Sequence, residues 1–495
     1  MNPYAARTSA PALPISISGA FHQRILGHLL LWLHALALVP CLANAQSEQA
    51  VGPTRDRSEE PPVLGLQELL SAAQHVSYDV ASAQHRIEAA EAQLSEARIS
   101  PFFQFTMEAG FAWVPDATGV AGYSNDSRNQ LERGFGPAIQ GKVKGAIPLW
   151  TFGKLDAART AASAGVQAAK ADLRRVQNKV SFDVRRAYYG LQLALDVQQM
   201  ISEGLPKLES AQESMEDRLA NGDDADLEPV DGYRLATAVV EIQARASEAT
   251  MAERSARYAL QILTGNDQLR VPDCPIEPLQ YAIKPIAHYL GLARAGRPEL
   301  AMLKAATVAK GADLAAKRAR FFPDLALGLE AEGTHIPGQT AYEHYRPYYV
   351  GAAIVARWNL DFWGHHQRAQ KTEQEALALS SQRQLAEKGV ELEIETRYEA
   401  LADAQRRMAA WAKGHRTARR WFVSSAQGFE VGTVSAKELI DGISAYFKAR
   451  YAHLQAIHDH NIAVAALEQA VNAPLLASDQ WEDRCDLPAP LDPSH

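Results

Sequence analysis

The sequence predicts a mainly α-helical protein with a small β component, built from one structural unit that occurs twice. Three observations support this fold class: an internal repeat, long tracts without proline, and short segments of alternating apolar residues. Ala97-Arg98-Ile99-Ser100-Pro101 has a counterpart in Ala319-Arg320-Phe321-Phe322-Pro323 after about 220 residues, and Asp231-Gly232 matches Asp441-Gly442 after about 210. Such self-similarity indicates a duplicated unit.

Long helices make up most of each unit. No proline occurs from Leu149 to Leu205 or from Tyr348 to Ala473, and both tracts are rich in Ala, Leu, Gln, Glu, Lys and Arg. Long helices require such tracts, because proline removes a hydrogen-bond donor and clashes with the preceding turn. The predicted helices are an amphipathic one at 66–98 and 287–319 and a very long one at 153–218 and 365–428.

Each long helix is followed by a chain reversal and a second long helix. The reversals are expected at Gly222 and Gly432, where the helical pattern is interrupted. Beyond them, apolar residues recur mostly at steps of three and four, which is typical of a coiled-coil seam. The seams are formed by Leu235, Val239, Ile242, Ala246 and Ala249 in copy one and by Ile443, Phe447, Tyr451 and Leu454 in copy two. Each copy therefore contains a long helical hairpin.

A pair of strands precedes each helical hairpin. Period-two apolar residues rich in aromatics predict strands, and polar loops at 115–136 and 333–347 separate the members of each pair. The predicted strands contain Phe103, Phe105, Met107, Ala109, Phe111 and Trp113, then 138–149, then Leu325, Leu327 and Leu329, then 348–360.

Aromatic residues and a glycine mark the point where each strand pair gives way to the long helix. They are Trp150, Phe152 and Gly153 in copy one and Phe362, Trp363 and Gly364 in copy two. Two interpretations are open: an aromatic girdle at a membrane surface, or a hydrophobic plug at the helix–sheet junction. The shared position in both copies favours the girdle.

Composition excludes several classes of protein. The 495 residues carry a net charge of -8 with no basic block, so a nucleic-acid partner is not expected. Three cysteines are too few for a disulfide scaffold or a Cys-rich zinc site. No catalytic triad, phosphate loop or zinc-hydrolase motif occurs. We therefore expect no enzyme, no metal and no cofactor.

The N-terminus predicts export. Arginines, a short apolar run and Ala43-Asn44-Ala45 form a secretory signal over residues 1–45. Pro40 makes Cys41 a poor lipidation site. The remaining predicted boundaries are a flexible arm at 46–63, repeats at 64–265 and 287–472, a connector at 266–286 between them, and a tail at 473–495.

Four strands in one chain leave two open sheet edges. An exported protein must cover or close such edges, and a transmembrane barrel needs about eight strands or more. Closure therefore requires several chains. The alternative from another class is a periplasmic coiled-coil adaptor or structural tether that does not span the outer membrane. Adaptors usually carry one hairpin between compact β domains, whereas this sequence has two hairpins with strand pairs.

The repeat resembles the TolC-like outer-membrane efflux protein family over about residues 64–472. The resemblance is carried by Arg297-Pro298-Glu299-Leu300, by Pro101 and Pro323 after their Ala-Arg pairs, by Gly153 and Gly364, and by Gly432-Thr433-Val434-Ser435-Ala436-Lys437-Glu438-Leu439-Ile440-Asp441. It implies a homotrimer with a shared 12-stranded membrane barrel and a helical tunnel through the periplasm. It also implies a periplasmic adaptor, an inner-membrane pump and contact with outer-membrane lipid in a Gram-negative cell.

The resemblance further implies a passive exit duct for efflux or type I secretion, gated at its periplasmic tip. Acidic residues of the family's copy-two tip correspond here to Glu438 and Asp441, and the copy-one positions are Glu228 and Asp231. A basic residue that links neighbouring hairpins in the family is replaced here by Val434. The transported substrate is not revealed.

Two cysteines follow the two copies at similar distances. Cys274 lies in the connector and Cys485 in the tail. In an oxidising periplasm they could form a disulfide that joins the ends of the repeats.

Overall fold

The structure of the protein is a computed structural model. It describes residues 63–102, 104–118, 128–221, 228–335, 348–431, 433–477 and 481. The predicted signal segment, most of the arm, the tip glycines Gly222 and Gly432, and Cys485 lie outside the described residues.

Copy one contains two short helices, two strands and a long helical hairpin. Its elements are α1 (Leu66–Val76), α2 (Tyr78–Ile99), β1 (Gln104–Thr118), β2 (Arg128–Trp150), α3 (Lys154–Asn221) and α4 (Pro229–Thr264). The predicted helix 66–98 is divided at Ser77, whose N–H donates to Ala73 O at 3.1 Å and ends α1. The predicted long helix is confirmed, since α3 has 68 residues and continues through Pro206.

Copy two repeats the same order of parts, which confirms the duplicated unit. Its elements are α5 (Ile286–Gly296), α6 (Pro298–Ala319), β3 (Asp324–His335), β4 (Tyr348–Arg357), α7 (Phe362–Glu430) and α8 (Ala436–Val471). The predicted helix 287–319 is divided at Arg297. Pro298 begins α6 because the first helical turn tolerates a missing N–H. The Arg297 guanidinium holds the break by binding Ala470 O at 2.8 Å and the Glu393 carboxylate.

The four strands form one antiparallel sheet in the order β1-β2-β3-β4. Phe105 lies opposite Gly145, Val143 opposite Ala331, and Leu327 opposite Ile354. Three strands are longer than predicted: β1 reaches Thr118 and β2 starts at Arg128, both inside the predicted loop 115–136, and β3 continues to His335. β4 ends at Arg357 and is therefore shorter than the predicted strand 348–360. Among the described residues, β1 and β4 are edge strands that pair on one side only.

Two clusters of buried residues hold the helices together. One surrounds Tyr188, Tyr289 and Leu467 and joins both copies near the strand-distal ends of α1 and α5. The other, called here the apolar seam, runs along the half of each hairpin nearer its turn (the tip half). The apolar seam contains Val197, Leu208 and Met215 of α3, Leu235, Val239 and Ile242 of α4, and Ala436, Ile440 and Ile443 of α8. It therefore joins the two hairpins of one chain.

The segment between the repeats is held by side chains and by one isolated parallel bridge between Val63 and Arg270. The Ile276 N–H donates to Asp196 Oδ2 at 2.7 Å, and the Leu279 N–H donates to Asn461 Oδ1 at 2.9 Å. Burial raises the pKa of Asp196, and the hydrogen bond from Ile276 opposes that rise. Buried His460 lies 3.1 Å from Leu279 O through its Nε2, and burial lowers its pKa. These contacts attach the connector to both long hairpins.

In the part of the chain that the structure describes, no helix combines the length and the apolar character needed to cross a membrane.

Candidate functional site

One face of the sheet is apolar over the paired part of its strands. Side chains alternate between the two faces of a strand, and the strand register places odd-numbered residues of β1, β2 and β3 on the same face as even-numbered residues of β4. The apolar face carries Phe105, Met107, Phe111 and Trp113 of β1, Ile139 and Val143 of β2, Leu325, Leu327 and Leu329 of β3, and Tyr348, Val350 and Ile354 of β4. Most of these side chains are exposed in the single chain, and Val350 is 85% exposed. A contiguous exposed apolar surface of this kind marks a site that contacts a membrane or another protein.

The opposite face carries a ladder of ion pairs. Lys144 Nζ lies 2.5 Å from Glu108 Oε1 across β1 and β2. Lys142 Nζ lies 2.5 Å from Glu330 Oε1 and 3.4 Å from Glu332 Oε2 across β2 and β3. Nearer the helices, Lys154 Nζ binds Asp324 Oδ1 at 2.8 Å. This face is hydrophilic and its charges largely neutralise one another.

A concave space of about 740 Å³ opens on this charged face. Its lining includes Lys144, Lys154, Asp324, Glu330 and Arg357. The polar face is therefore a curved, water-accessible surface.

The predicted junction residues lie together where the sheet meets the long helices. Trp150 and Trp363 are exposed. The Phe152 ring stacks on Phe322 at 5.1 Å between centroids, and Trp150 contacts Phe152 edge-on. On the copy-two side, the Trp358 indole N–H donates to Phe321 O at 3.1 Å. The junction therefore presents a band of aromatic rings next to the apolar face.

Each junction makes the turn from strand to helix differently. In copy one, Phe152 and Gly153 have φ of 50° and 88°, a left-handed conformation that glycine adopts without strain. In copy two, Asp361 caps α7 by accepting the Gly364 N–H at 3.0 Å. That hydrogen bond and the Arg368 guanidinium, 2.9 Å away, lower the pKa of Asp361.

The copy-two tip exposes both predicted gate acids. Ser435 begins α8, and its hydroxyl accepts the Glu438 N–H at 3.4 Å. Glu438 and Asp441 are exposed on the first turns of α8 and form no ion pair among the described residues. The Thr433 and Val434 N–H groups both donate to Gly428 O. Val434 thus closes the turn and offers no charge.

The copy-one tip separates its two predicted acids. Glu228 is exposed, whereas Asp231 is 6% exposed. Asp231 Oδ2 accepts the Glu228 N–H at 3.4 Å, and Asp231 Oδ1 pairs with Arg234 at 3.1 Å. Both carboxylate oxygens of Asp231 are therefore occupied in capping α4 and pairing within it.

The C-terminal residues pack against α3. Arg185 Nη2 pairs with Glu468 Oε1 at 2.9 Å, and each side chain is only 12% exposed. Glu468 Oε2 also accepts the Leu475 N–H at 3.0 Å. The Arg185 guanidinium lies 4.2 Å from the centre of the buried Trp481 ring. We call Arg185, Glu468, Leu475 and Trp481 the C-terminal clasp.

Cys274 lies in the connector. It is 6% exposed and is disulfide-bonded. Because Cys485 lies outside the described residues, its pairing with Cys274 stays a prediction. Among the described residues, no group of three or more His, Cys, Asp or Glu side chains is placed to hold a metal ion.

The duplicated chain matches the model of a known family, described as outer membrane efflux protein, over residues 69–266 and 289–473. The chain belongs to the outer membrane efflux protein family. As a member, it is an efflux channel protein of the outer membrane of a Gram-negative bacterium, and its long helices extend into the periplasm. The periplasmic adaptor or tether is not favoured.

Solved structures share the fold of this outer membrane efflux protein. CusC, described as forming a transmembrane channel, matches with a TM-score of 0.69 and 16% identity, covering 83% of this chain and 92% of that one. The outer membrane protein VceC of Vibrio cholerae matches with 0.67 and 16%, covering 83% and 97%. The MtrE outer membrane channel of Neisseria gonorrhoeae matches with 0.65 and 18%, covering 83% and 89%. No protein with a curated description matches.

Sequence reasoning missed the ion-pair ladder and the C-terminal clasp. The ladder had a visible signal, because Glu108, Lys142, Lys144, Glu330 and Glu332 occupy the positions between the apolar ones. The sequence contained no signal for the C-terminal clasp, because Arg185 and Glu468 lie far apart in the chain and no periodicity connects them.

Proposed function

We propose that three copies of this outer membrane efflux protein form one passive exit duct, with four strands from each copy closing a 12-stranded barrel. The single observation that carries this proposal is the two-faced sheet with two open edges. Neither β1 nor β4 has a second partner within the described chain, and an uncovered edge favours pairing with another strand. Pairing β4 of one copy with β1 of the next satisfies every edge.

In this duct the apolar face contacts lipid and the charged face lines the bore. Trp150, Phe152, Phe362 and Trp363 then lie at the periplasmic surface of the membrane, where aromatic girdles are found. The ladder formed by Lys142 and Lys144 with their carboxylate partners keeps the bore hydrophilic without a strong net charge. We expect little ion selectivity from this part of the duct.

The duct supplies no driving force of its own. We propose that a periplasmic adaptor joins it to an inner-membrane pump, which powers transport. The tip halves of the two hairpins are the parts of the chain farthest from the sheet. We therefore expect the adaptor to bind there.

Oligomeric mass and conductance test the proposed duct. The protein purified from membranes in detergent should have the mass of three chains by light scattering, and it should conduct ions in a planar bilayer. A protein that is monomeric without detergent and does not conduct ions would overturn the proposal. It would favour instead the alternative of a periplasmic tether.

Neutralising the acids of the copy-two tip should change the conductance and the ion selectivity of the entrance. We propose that Glu438 and Asp441 from three copies narrow it and favour cations. Glu438→Gln with Asp441→Asn should lower the cation-to-anion permeability ratio several-fold and raise the single-channel conductance. Glu395→Gln, an exposed acid of α7 far from the tip, is the matched control and should change neither. Unchanged conductance and selectivity in the double variant would show that these acids do not form the gate.

We also propose that Cys274 pairs with Cys485. Thiol alkylation of non-reduced purified protein, read by mass spectrometry, should leave both cysteines unmodified. After denaturation and reduction both should react. Labelling of Cys485 in denatured, non-reduced protein would contradict the pairing.

A further inference from the structure

The two hairpins share a fold but have opposite charge in their tip halves. Residues 196–250 of copy one contain 13 Asp and Glu against 4 Lys and Arg. The corresponding residues 406–460 of copy two contain 4 Asp and Glu against 9 Lys and Arg. Hairpin one is therefore strongly negative near its tip, and hairpin two is positive.

Six of the nine Lys and Arg residues in this part of hairpin two lie on α7, and three of them form a row. Arg406, Lys413 and Arg420 recur every seven residues and are all exposed, so they form a single row along the helix. The side of α7 that packs on α8 is marked by buried Leu401 and Ala404 and lies nearly opposite this row. The basic row therefore faces away from the rest of the chain.

This basic row lacks partners within the described chain. Lys413 and Arg420 form no ion pair there, and Arg406 has only a 3.9 Å contact with Asp403 one turn away. No Asp or Glu occurs between Asp403 and Glu430 that could neutralise the row from its own helix.

An acidic counterpart lies on α4. Glu241 and Glu248 are exposed and lie seven residues apart. Glu241 has no ion-pair partner among the described residues, and Glu248 contacts only Arg245 of its own helix, at 2.7 Å. The side of α4 that packs on α3 is marked by buried Leu235 and Ile242, so the two acids also face away from the rest of the chain.

The two charged rows lie at matching heights above the tips. In the tip half α4 packs on α3, α3 on α8 and α8 on α7, so α4 and α7 form the two ends of the series. At ~1.5 Å per residue, Arg420 lies about 15 Å from the end of α7 and Glu241 about 18 Å from the start of α4. Lys413 and Glu248 lie at about 26 and 29 Å by the same measure.

We propose that the basic row of α7 binds Glu241 and Glu248 on α4 of a second copy. This inference rests on the proposed ring of copies, in which the α7 end of one chain meets the α4 end of the next, as in any head-to-tail closed assembly. The seam within a chain is apolar, formed by residues such as Val239 and Ile440, whereas the seam between chains near the entrance is ionic. The entrance therefore opens along the seams between copies.

Salt should weaken the ionic seam and leave the apolar seam intact. The Debye length falls from ~10 Å at 0.1 M to ~3 Å at 1 M salt. Conductance normalised to the conductivity of the solution should therefore rise with salt as the entrance loosens. The trimer should persist, because the proposed pairing of β4 with β1 between copies does not depend on these charges.

Charge exchange between the two rows is the decisive test. Lys413→Glu with Arg420→Glu should raise the normalised conductance several-fold, and Glu241→Lys with Glu248→Lys should do the same. Combining all four substitutions should return it close to the wild-type value, because opposite charges face each other again. Arg383→Glu with Lys388→Glu, two exposed cations of α7 farther from the tip, changes net charge equally and should have no effect.

Cross-linking gives a readout that does not depend on gating. Arg420→Cys combined with Glu241→Cys should yield covalently linked oligomers with a short bis-maleimide, whereas Arg383→Cys with Glu241→Cys should not. A four-fold variant as leaky as either double variant, or absent cross-links, would overturn the ionic seam while leaving the duct in place. Failure of the proposed duct itself would appear in the wild-type protein, as a monomer without conductance.

Discussion

Val350→Lys should abolish assembly in the outer membrane, whereas Tyr349→Lys should permit it. Val350 lies on the apolar face, in line with Ala331 and Val143 across the sheet, and it is 85% exposed. A lysine facing lipid costs up to about 2–4 kcal/mol, depending on its depth in the bilayer, and a ring of three copies carries that cost three times. Tyr349 is the adjacent residue on the charged face, opposite Glu332, where a lysine meets water and a carboxylate.

The measurement is the amount of heat-resistant oligomer in isolated outer membranes, with total expression as the reference. The adjacent pair is a matched control, because both variants add one lysine to the same strand. Equal assembly of the two variants would contradict the assignment of the apolar face to lipid. If neither variant assembled, the result would indicate instead that any lysine in β4 disturbs the pairing of this strand.

Arg185→Ala should destabilise the helical part of the protein by about 3–5 kcal/mol, because it leaves the Glu468 carboxylate buried without its cation. Both side chains are 12% exposed and 2.9 Å apart, so solvent screens them little. The substitution also removes the guanidinium from the Trp481 ring and so releases the C-terminal clasp. The loss should appear in thermal unfolding followed by the helical circular dichroism signal at fixed detergent.

Arg186→Ala is the control, because Arg186 is the neighbouring residue and its side chain is 62% exposed in its pair with Asp183. Exposed pairs contribute about 1 kcal/mol or less. The double variant Arg185→Met with Glu468→Gln should be more stable than Arg185→Ala, because it leaves no unpaired carboxylate buried at position 468. A loss for Arg185→Ala no larger than for Arg186→Ala would contradict the clasp.

Helices and their order could be predicted well from the sequence. The tract without proline before Leu205 and the apolar steps after Gly222 indicated the hairpin that α3 and α4 form, because long helices leave clear compositional and periodic signals. The break at Ser77 left no signal in the sequence, whereas Pro298 marked the break at Arg297, because proline disfavours helical geometry in the residue before it. Arg297 is fixed by Ala470 O and Glu393, which lie far from it in the chain.

The lengths of β1, β2 and β3 were underestimated because only apolar alternation was counted. On a two-faced sheet the charged positions carry the same period, and Lys142 and Lys144 continue β2 as regularly as Val143 does. Of the candidate gate residues, Glu438 is exposed at the tip, and its role at the entrance stays a prediction. The burial of Asp231 could not be foreseen, since its role as a cap depends on the local geometry at the start of α4.

The duplicated unit has a consequence for rotational symmetry. Three copies would place six hairpins of similar backbone around the axis, yet successive hairpins would alternate between the negative and the positive charge of residues 196–250 and 406–460. The backbone would then repeat every 60° and the electrostatic potential every 120° in such a ring. A docking protein with six equivalent arms would fit the backbone in six orientations but would distinguish them by charge into two sets of three.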